Sequence, residues 1–247
     1  MGFSTVYDSQ GFLYVLFRFL SLKSPARIED ALDEEMLSVY RRFHARDLSR
    51  YLDDPDPFAL RYVDPDRIRR LTGFEHPTSY YYVGNVRGGD WDVDVPYDNT
   101  AYPELYRAET FEGVLLYRSL ENHFRHGVAW GDTEFVRAVY DLVDDGERVW
   151  HGCESRRDVD RRCERVDALY HRVATHGYEP RRDSNRDGPG DVLSWYLDEV
   201  LVDVSRDGEL CVADGYHRLS IAKLLDLDQI PVILRIRHRE HMRTQYG

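Results

Sequence analysis

Five consecutive residues, Asp214-Gly215-Tyr216-His217-Arg218, gather the side chains that phosphate chemistry uses. Strand-like sequence precedes them and helical sequence follows, so Tyr216, His217 and Arg218 fall on the first turn of a helix. A helix N-terminus carries N–H groups without intrahelical partners and the positive end of the dipole, and it attracts anions, phosphate above all. Gly215 allows a tight turn and a close backbone approach to a ligand. Arg218 offers a bidentate fork to phosphate. His217 can donate a hydrogen bond or shuttle a proton near neutral pH. Asp214 can cap the helix, act as a base or help hold a metal. The plainer alternative is a capping Asp214, a turning Gly215, and His217 and Arg218 on a solvated first turn.

Two further groups contain chemically useful residues. In Val86 to Asp94, two glycines precede Asp90 and Asp92, a pattern that suits a phosphate-facing loop or a Mg²⁺ ligand pair beside a nucleotide. The competing reading is an acidic turn with Trp91 anchored in the core. In Trp150 to His171, the residues His151, Cys153, Cys163 and His171 are zinc-ligand types, but their spacing matches no familiar zinc pattern. A Cys153 nucleophile with His151 two residues away lacks a third group to orient it. Arg156, Arg157, Arg161, Arg162 and Arg165 form a basic run that either pairs with nearby aspartates or receives an anionic substrate.

The elements that must position these residues follow from periodicity and punctuation. Ser24-Pro25 opens a helix whose apolar positions include Ile28, Leu32, Met36, Val39, Tyr40 and Phe43, and which closes near Asp53 to Pro57. A strand is expected over Phe58 to Val63, then a turn or short helix opened by Asp64-Pro65, then a strand in Ser79 to Val86. Three helices follow: Ala108 to His126, one after Gly131-Asp132-Thr133, and one whose stripe Val159, Cys163, Val166, Tyr170, Val173 stops at Gly177. Glu179 to Asp191 reads as a loop. Val200 to Val204 and Leu210 to Val212 form a hairpin around Arg206-Asp207-Gly208; helix Tyr216 to Leu225 and strand Ile230 to Ile236 complete the unit. The expected class is α+β: a helical extension over residues 1–57 and an α+β domain over 58–247 with a helical insertion at about 100–178.

The chain carries 33 basic and 45 acidic residues, a formal net charge of −12. Of the basic residues 31 are arginine, and aspartate outnumbers glutamate 29 to 16, a bias that resembles proteins of extreme halophiles. Acidity argues against DNA as a partner, less firmly where it answers to salt. Three widely spaced cysteines make no disulfide framework and suit a reducing, cytoplasmic setting. Phe12 to Leu22 is too short to span a bilayer and contains Arg18; a buried helix is expected, with membrane-surface docking as the alternative.

The stretch DGYHRLSIAKLLDLDQIPVIL, Asp214 to Leu234, resembles the ParB/sulfiredoxin-like fold, with its Gly-x-His/Arg-Arg element, alanine-containing helix and Ile-Pro-Val strand. The likeness covers Glu199 to Arg237. It implies nucleotide phosphates (ATP, ADP or CTP) at Gly215, His217 and Arg218, with Tyr216 in the same site; the residues themselves offer His217 and Asp214 as catalytic candidates and Asp90 and Asp92 as candidates to hold Mg²⁺. Sulfiredoxins carry a cysteine where this chain has Tyr216, so their chemistry is not expected. Partition proteins follow this domain with a helix-turn-helix region that is not found before Gly247. The expected function is therefore binding of a nucleotide or phosphorylated small molecule, with hydrolysis or phosphotransfer if it is an enzyme. The alternatives are a non-catalytic interaction or ligand-sensing module and a nucleic-acid-binding protein.

Overall fold

A computed structural model describes residues 38–74, 82–93, 102–106, 108–180 and 199–247. The expected N-terminal helix is described only as α1, residues 38–45; its earlier part and Phe12 to Leu22 lie outside the described residues, as does 181–191 of the expected loop. Strand β1 (Leu60–Val63) leads into a 3₁₀ turn, Pro65–Arg67, where the Asp64 carboxylate accepts the Asp66 N–H. Strands β2 (Ile68–Leu71) and β3 (Asn85–Arg87) follow. Next come helices α2 (Pro103–Tyr106), α3 (Leu115–His126), α4 (Glu134–Asp144) and α5 (Arg156–His176). The chain then forms β4 (Val200–Val204), β5 (Leu210–Asp214), α6 (Tyr216–Leu224), β6 (Ile230–His238) and α7 (Arg239–Tyr246).

The strands make one mixed sheet in the order β1-β6-β4-β5-β2. Nine-residue β6 pairs along one edge with β4 in parallel. Its other edge is shared, with β1 antiparallel along Ile230 to Ile233 and β3 parallel along Ile236 to His238. The class is α+β, with the helical segment 103–176 inserted between β3 and β4.

Alternation along the strands sends side chains to two covered faces. Ile68, Val200, Val202, Val204, Val212 and Val232 meet Leu116, Leu120, Phe135, Val139, Val159 and Leu219 of the helices in the main core. The opposite face sets Leu201, Ala213 and Ile233 against Tyr40, Phe58 and Val83. Asp203 and Arg235 share that second face and pair there with neither side chain exposed. The described end of the N-terminal extension thus packs directly on the sheet.

Three expectations change. Ile68–Leu71 is a strand beside β5 rather than only part of a turn; a bulge between Ile68 and Arg70 sets its two buried residues three apart, which hides the strand period. In the stretch expected as a strand, Ser79 to Tyr81 lie outside the described residues, Tyr82 to Gly84 turn, and pairing starts at Asn85. Gly84 has φ +79° and sits so close to the His44 carbonyl that a Cβ would lie 2.4 Å from the oxygen. The expected helix Ala108 to His126 is split: Phe111–Gly113 is 3₁₀, extended Val114 interrupts, and the α-helix begins at Leu115. Helix α6 closes with Asp226 left-handed at φ 50°, its N–H on the Lys223 carbonyl and that of Leu227 on Ala222. Among the described residues no helix is long and apolar enough to cross a membrane.

Candidate functional site

The strand β5 delivers the chain to the start of α6, where Gly215 turns it at φ +87°. A Cβ on Gly215 would lie 2.8 Å from the Cα of Val200. The close approach that demands glycine is therefore to the protein's own β4, not to a ligand. The Asp214 carboxylate accepts the N–H of Gly215, the residue that precedes the helix, at 2.7 Å, and Gly215 itself has no side chain to cap the first turn.

The next three side chains diverge. Tyr216 turns toward the core, its ring edge-on to Tyr106 at 5.9 Å and tilted against Phe111 at 5.5 Å. His217 accepts a hydrogen bond at Nε2 from the indole Nε1 of Trp150, 3.0 Å away. Arg218 reaches back to Glu199, Nη1 to Oε2 3.3 Å, with both side chains largely withdrawn from water. The Arg218 expected to face phosphate thus already meets a buried carboxylate.

Trp150 comes from a strap. Val149 and Cys153 exchange two backbone hydrogen bonds, 3.0 and 2.7 Å, around Trp150, His151 and Gly152. All three of these residues have positive φ, 42°, 62° and 86°. A tryptophan in that region is strained by on the order of 1 kcal/mol, and the burial of Trp150 against the edge of Phe135, at 5.1 Å, offsets it. The same turn brings His151 to 5.6 Å from the His217 ring.

From α5, Arg162 lies over the Trp150 ring, 6.0 Å from its centroid. Burial lowers the basicity of Arg162, and Arg165 adds to the effect. Its Nε is buried without a hydrogen-bond partner among the described residues. An arginine stays charged at any ordinary pH, so this cation is held beside an aromatic wall with no carboxylate paired to it among the described residues. Burial pushes the pKa of His217 well below the usual histidine value, and Arg162, His151 and Arg218 push it further down. Arg162 and Arg218 thus set positive charge beside the His217 ring, with the Glu199 and Asp214 carboxylates at the same corner.

The other residue groups are placed elsewhere. Asp92 is buried and holds Arg206: its carboxylate accepts the Arg206 backbone N–H at 2.7 Å and the guanidinium at 2.8 Å. Asp90, 86% exposed, meets the same guanidinium at 2.8 Å. An arginine thus stands between the two carboxylates expected as Mg²⁺ ligands. Arg206 lies in the β4–β5 turn, one β5 length from Asp214, about 13 Å for four residue steps. Asp90 and Asp92 are consequently not brought to the His217 corner.

Among the described residues no group of three or more His, Cys, Asp or Glu side chains could hold a metal ion. Cys163 is a core residue with Val159, Val166 and Val173. Burial, then Asp158, raises the pKa of Cys153, the reverse of an activated thiol. Of the basic run, Arg156 pairs with Asp144 and Arg161 with Asp158, while Arg162 turns inward to the strap. Comparison of the chain with family models, curated proteins and solved structures found no match.

Proposed function

We propose that the chain binds a phosphorylated ligand of the nucleotide class at the start of α6, within a ParB/sulfiredoxin-like domain. One observation carries the reading: Arg162, a partly buried cation with no protein acceptor at its Nε among the described residues, lies over the ring of Trp150, the residue that hydrogen-bonds His217 on the first turn of α6. Phosphate supplies the missing negative charge and several acceptor oxygens, and a helix N-terminus adds N–H groups and its dipole. The hairpin–helix–strand order and the likeness of Asp214 to Leu234 to that domain lend further support.

Binding is favoured over phosphoryl transfer. Asp90 and Asp92 are occupied by Arg206 at the other end of the hairpin, which leaves Asp214 as the nearest of the expected carboxylates. The reading is tested by thermal unfolding with ATP, ADP, CTP and pyrophosphate, each with and without Mg²⁺. At least one should raise the melting temperature of the wild type, and Arg162→Ala should remove the rise. Arg162→Ala is cleaner than Arg218→Ala, which strands the buried Glu199 carboxylate. A flat response to all four ligands sinks the reading.

A further inference from the structure

An indole nitrogen donates hydrogen bonds and does not accept them. At 3.0 Å from Trp150 Nε1, the Nε2 of His217 must turn a lone pair toward the indole, and in the neutral ring the proton then sits on Nδ1. The two ring planes are 19° apart with centroids 5.8 Å apart, a geometry compatible with an in-plane hydrogen bond. Nδ1 has no hydrogen-bond partner among the described residues. The charged and titratable groups that act on the ring are His151 from the strap, Arg162 from α5 and Arg218 from its own helix. None of them stabilises an imidazolium, and a second proton on Nε2 would point straight at the indole N–H.

We infer that Trp150 is a positioning residue that fixes His217 as a neutral Nδ1–H donor to a ligand oxygen, so that this histidine binds and does not shuttle protons. The identity of that oxygen rests on the phosphorylated-ligand reading of the same corner; the tautomer does not. A donor fixed in this way keeps its hydrogen across the neutral range. Binding should then follow the ionisation of the ligand and not that of the protein.

The experiment combines tautomer and affinity on the full chain. Two-bond ¹H–¹⁵N spectra of wild type between about pH 5.5 and 8 should show His217 as the Nδ1–H tautomer throughout, without titration in that range. In Trp150→Phe the Nε2–H form should appear. Pyrophosphate affinity, measured by calorimetry at pH 7.5, should fall about tenfold in that variant. His217→Asn, whose amide nitrogen reaches the Nδ1 position, should keep most of the affinity. His217→Gln, whose amide reaches the Nε2 position, should lose about tenfold.

An Nε2–H tautomer in wild type, or equal affinities for the Asn and Gln variants, overturns the inference. Should Trp150→Phe fail to fold, the wild-type spectrum and the Asn and Gln pair still decide it. Wild type that shows the Nδ1–H tautomer and binds none of ATP, ADP, CTP and pyrophosphate overturns the phosphorylated-ligand reading, and the donor role with it, while the tautomer lock stands.

Discussion

Arg235 lays its guanidinium along the carboxylate of Asp203, and neither side chain is exposed to water. The Nε of Arg235 donates to Oδ1 at 2.8 Å and its Nη2 to Oδ2, the Ile236 N–H adds a bond of 3.1 Å, and Thr72 donates its hydroxyl. Four donors thus satisfy one buried carboxylate between adjacent strands β4 and β6. Removing only one member leaves a charge without a partner in the interior. Arg235→Leu should destabilise the fold by about 3–5 kcal/mol in urea titration, and Asp203→Leu combined with Arg235→Leu should recover part of that. A double variant no better than the single would show that the pair acts through packing alone.

His44 makes stability depend on pH. Its Nδ1–H faces the Val83 carbonyl at 2.6 Å, and burial pushes its pKa down to about 4, against the bond to Val83. The folded state therefore favours the neutral ring, and the unfolded chain takes up the proton first. The contribution is complete above the ordinary pKa of 6.5 and is lost as pH falls from there toward 4. The loss should reach roughly 3 kcal/mol. Urea midpoints from pH 7 to 4 should decline steadily in wild type and less in His44→Gln.

Gly215 separates a structural role from a ligand-facing one. Gly215→Ala should lower stability by about 2–4 kcal/mol with no ligand present, since the new methyl meets the Val200 backbone and φ is +87°. Unchanged melting of the ligand-free variant would contradict the packing.

Asp90 and Asp92 should behave very differently. Asp90→Ala, at an exposed carboxylate, should shift stability by less than about 0.5 kcal/mol and leave any nucleotide response intact. Asp92→Ala removes the buried partner of Arg206 and should cost about 2–4 kcal/mol. Loss of a Mg²⁺-dependent nucleotide response in Asp90→Ala would restore the metal reading for that pair.

The hairpin, helix α6 and strand β6 were legible because every local signal agreed: alternation, an Asp-Gly turn, a glycine before the helix and an apolar run after it. The corner was legible as a place, less so in its parts. Helical spacing cannot say that Tyr216 packs inward while His217 meets Trp150, because the partners come from a distant strap. Nor does a tryptophan advertise a left-handed backbone. Arg162 stood in the sequence as one of five arginines. The available signal was its place beside Cys163 and four residues before Val166, on the flank of the buried stripe where a long side chain is drawn inward.

Strand β6 also sets the order in which the sheet can assemble. β1 and β3 both lean on it, Leu60 opposite Ile233 and Asn85 opposite Ile236, while β2 waits for β5, Ile68 opposite Leu210. Each early strand therefore finds its partner only after the whole helical layer has been made. Loop closure over such distances is slow, and unpaired strand edges stay open to neighbouring chains meanwhile. The helices α3, α4 and α5, which contact one another in sequence order, can form first and shelter the apolar face the sheet will need. A ribosome-bound chain lacking β6 should thus hold the helices and the β2–β5–β4 part of the sheet with β1 and β3 unpaired, and should be at its most aggregation-prone just before that last strand emerges.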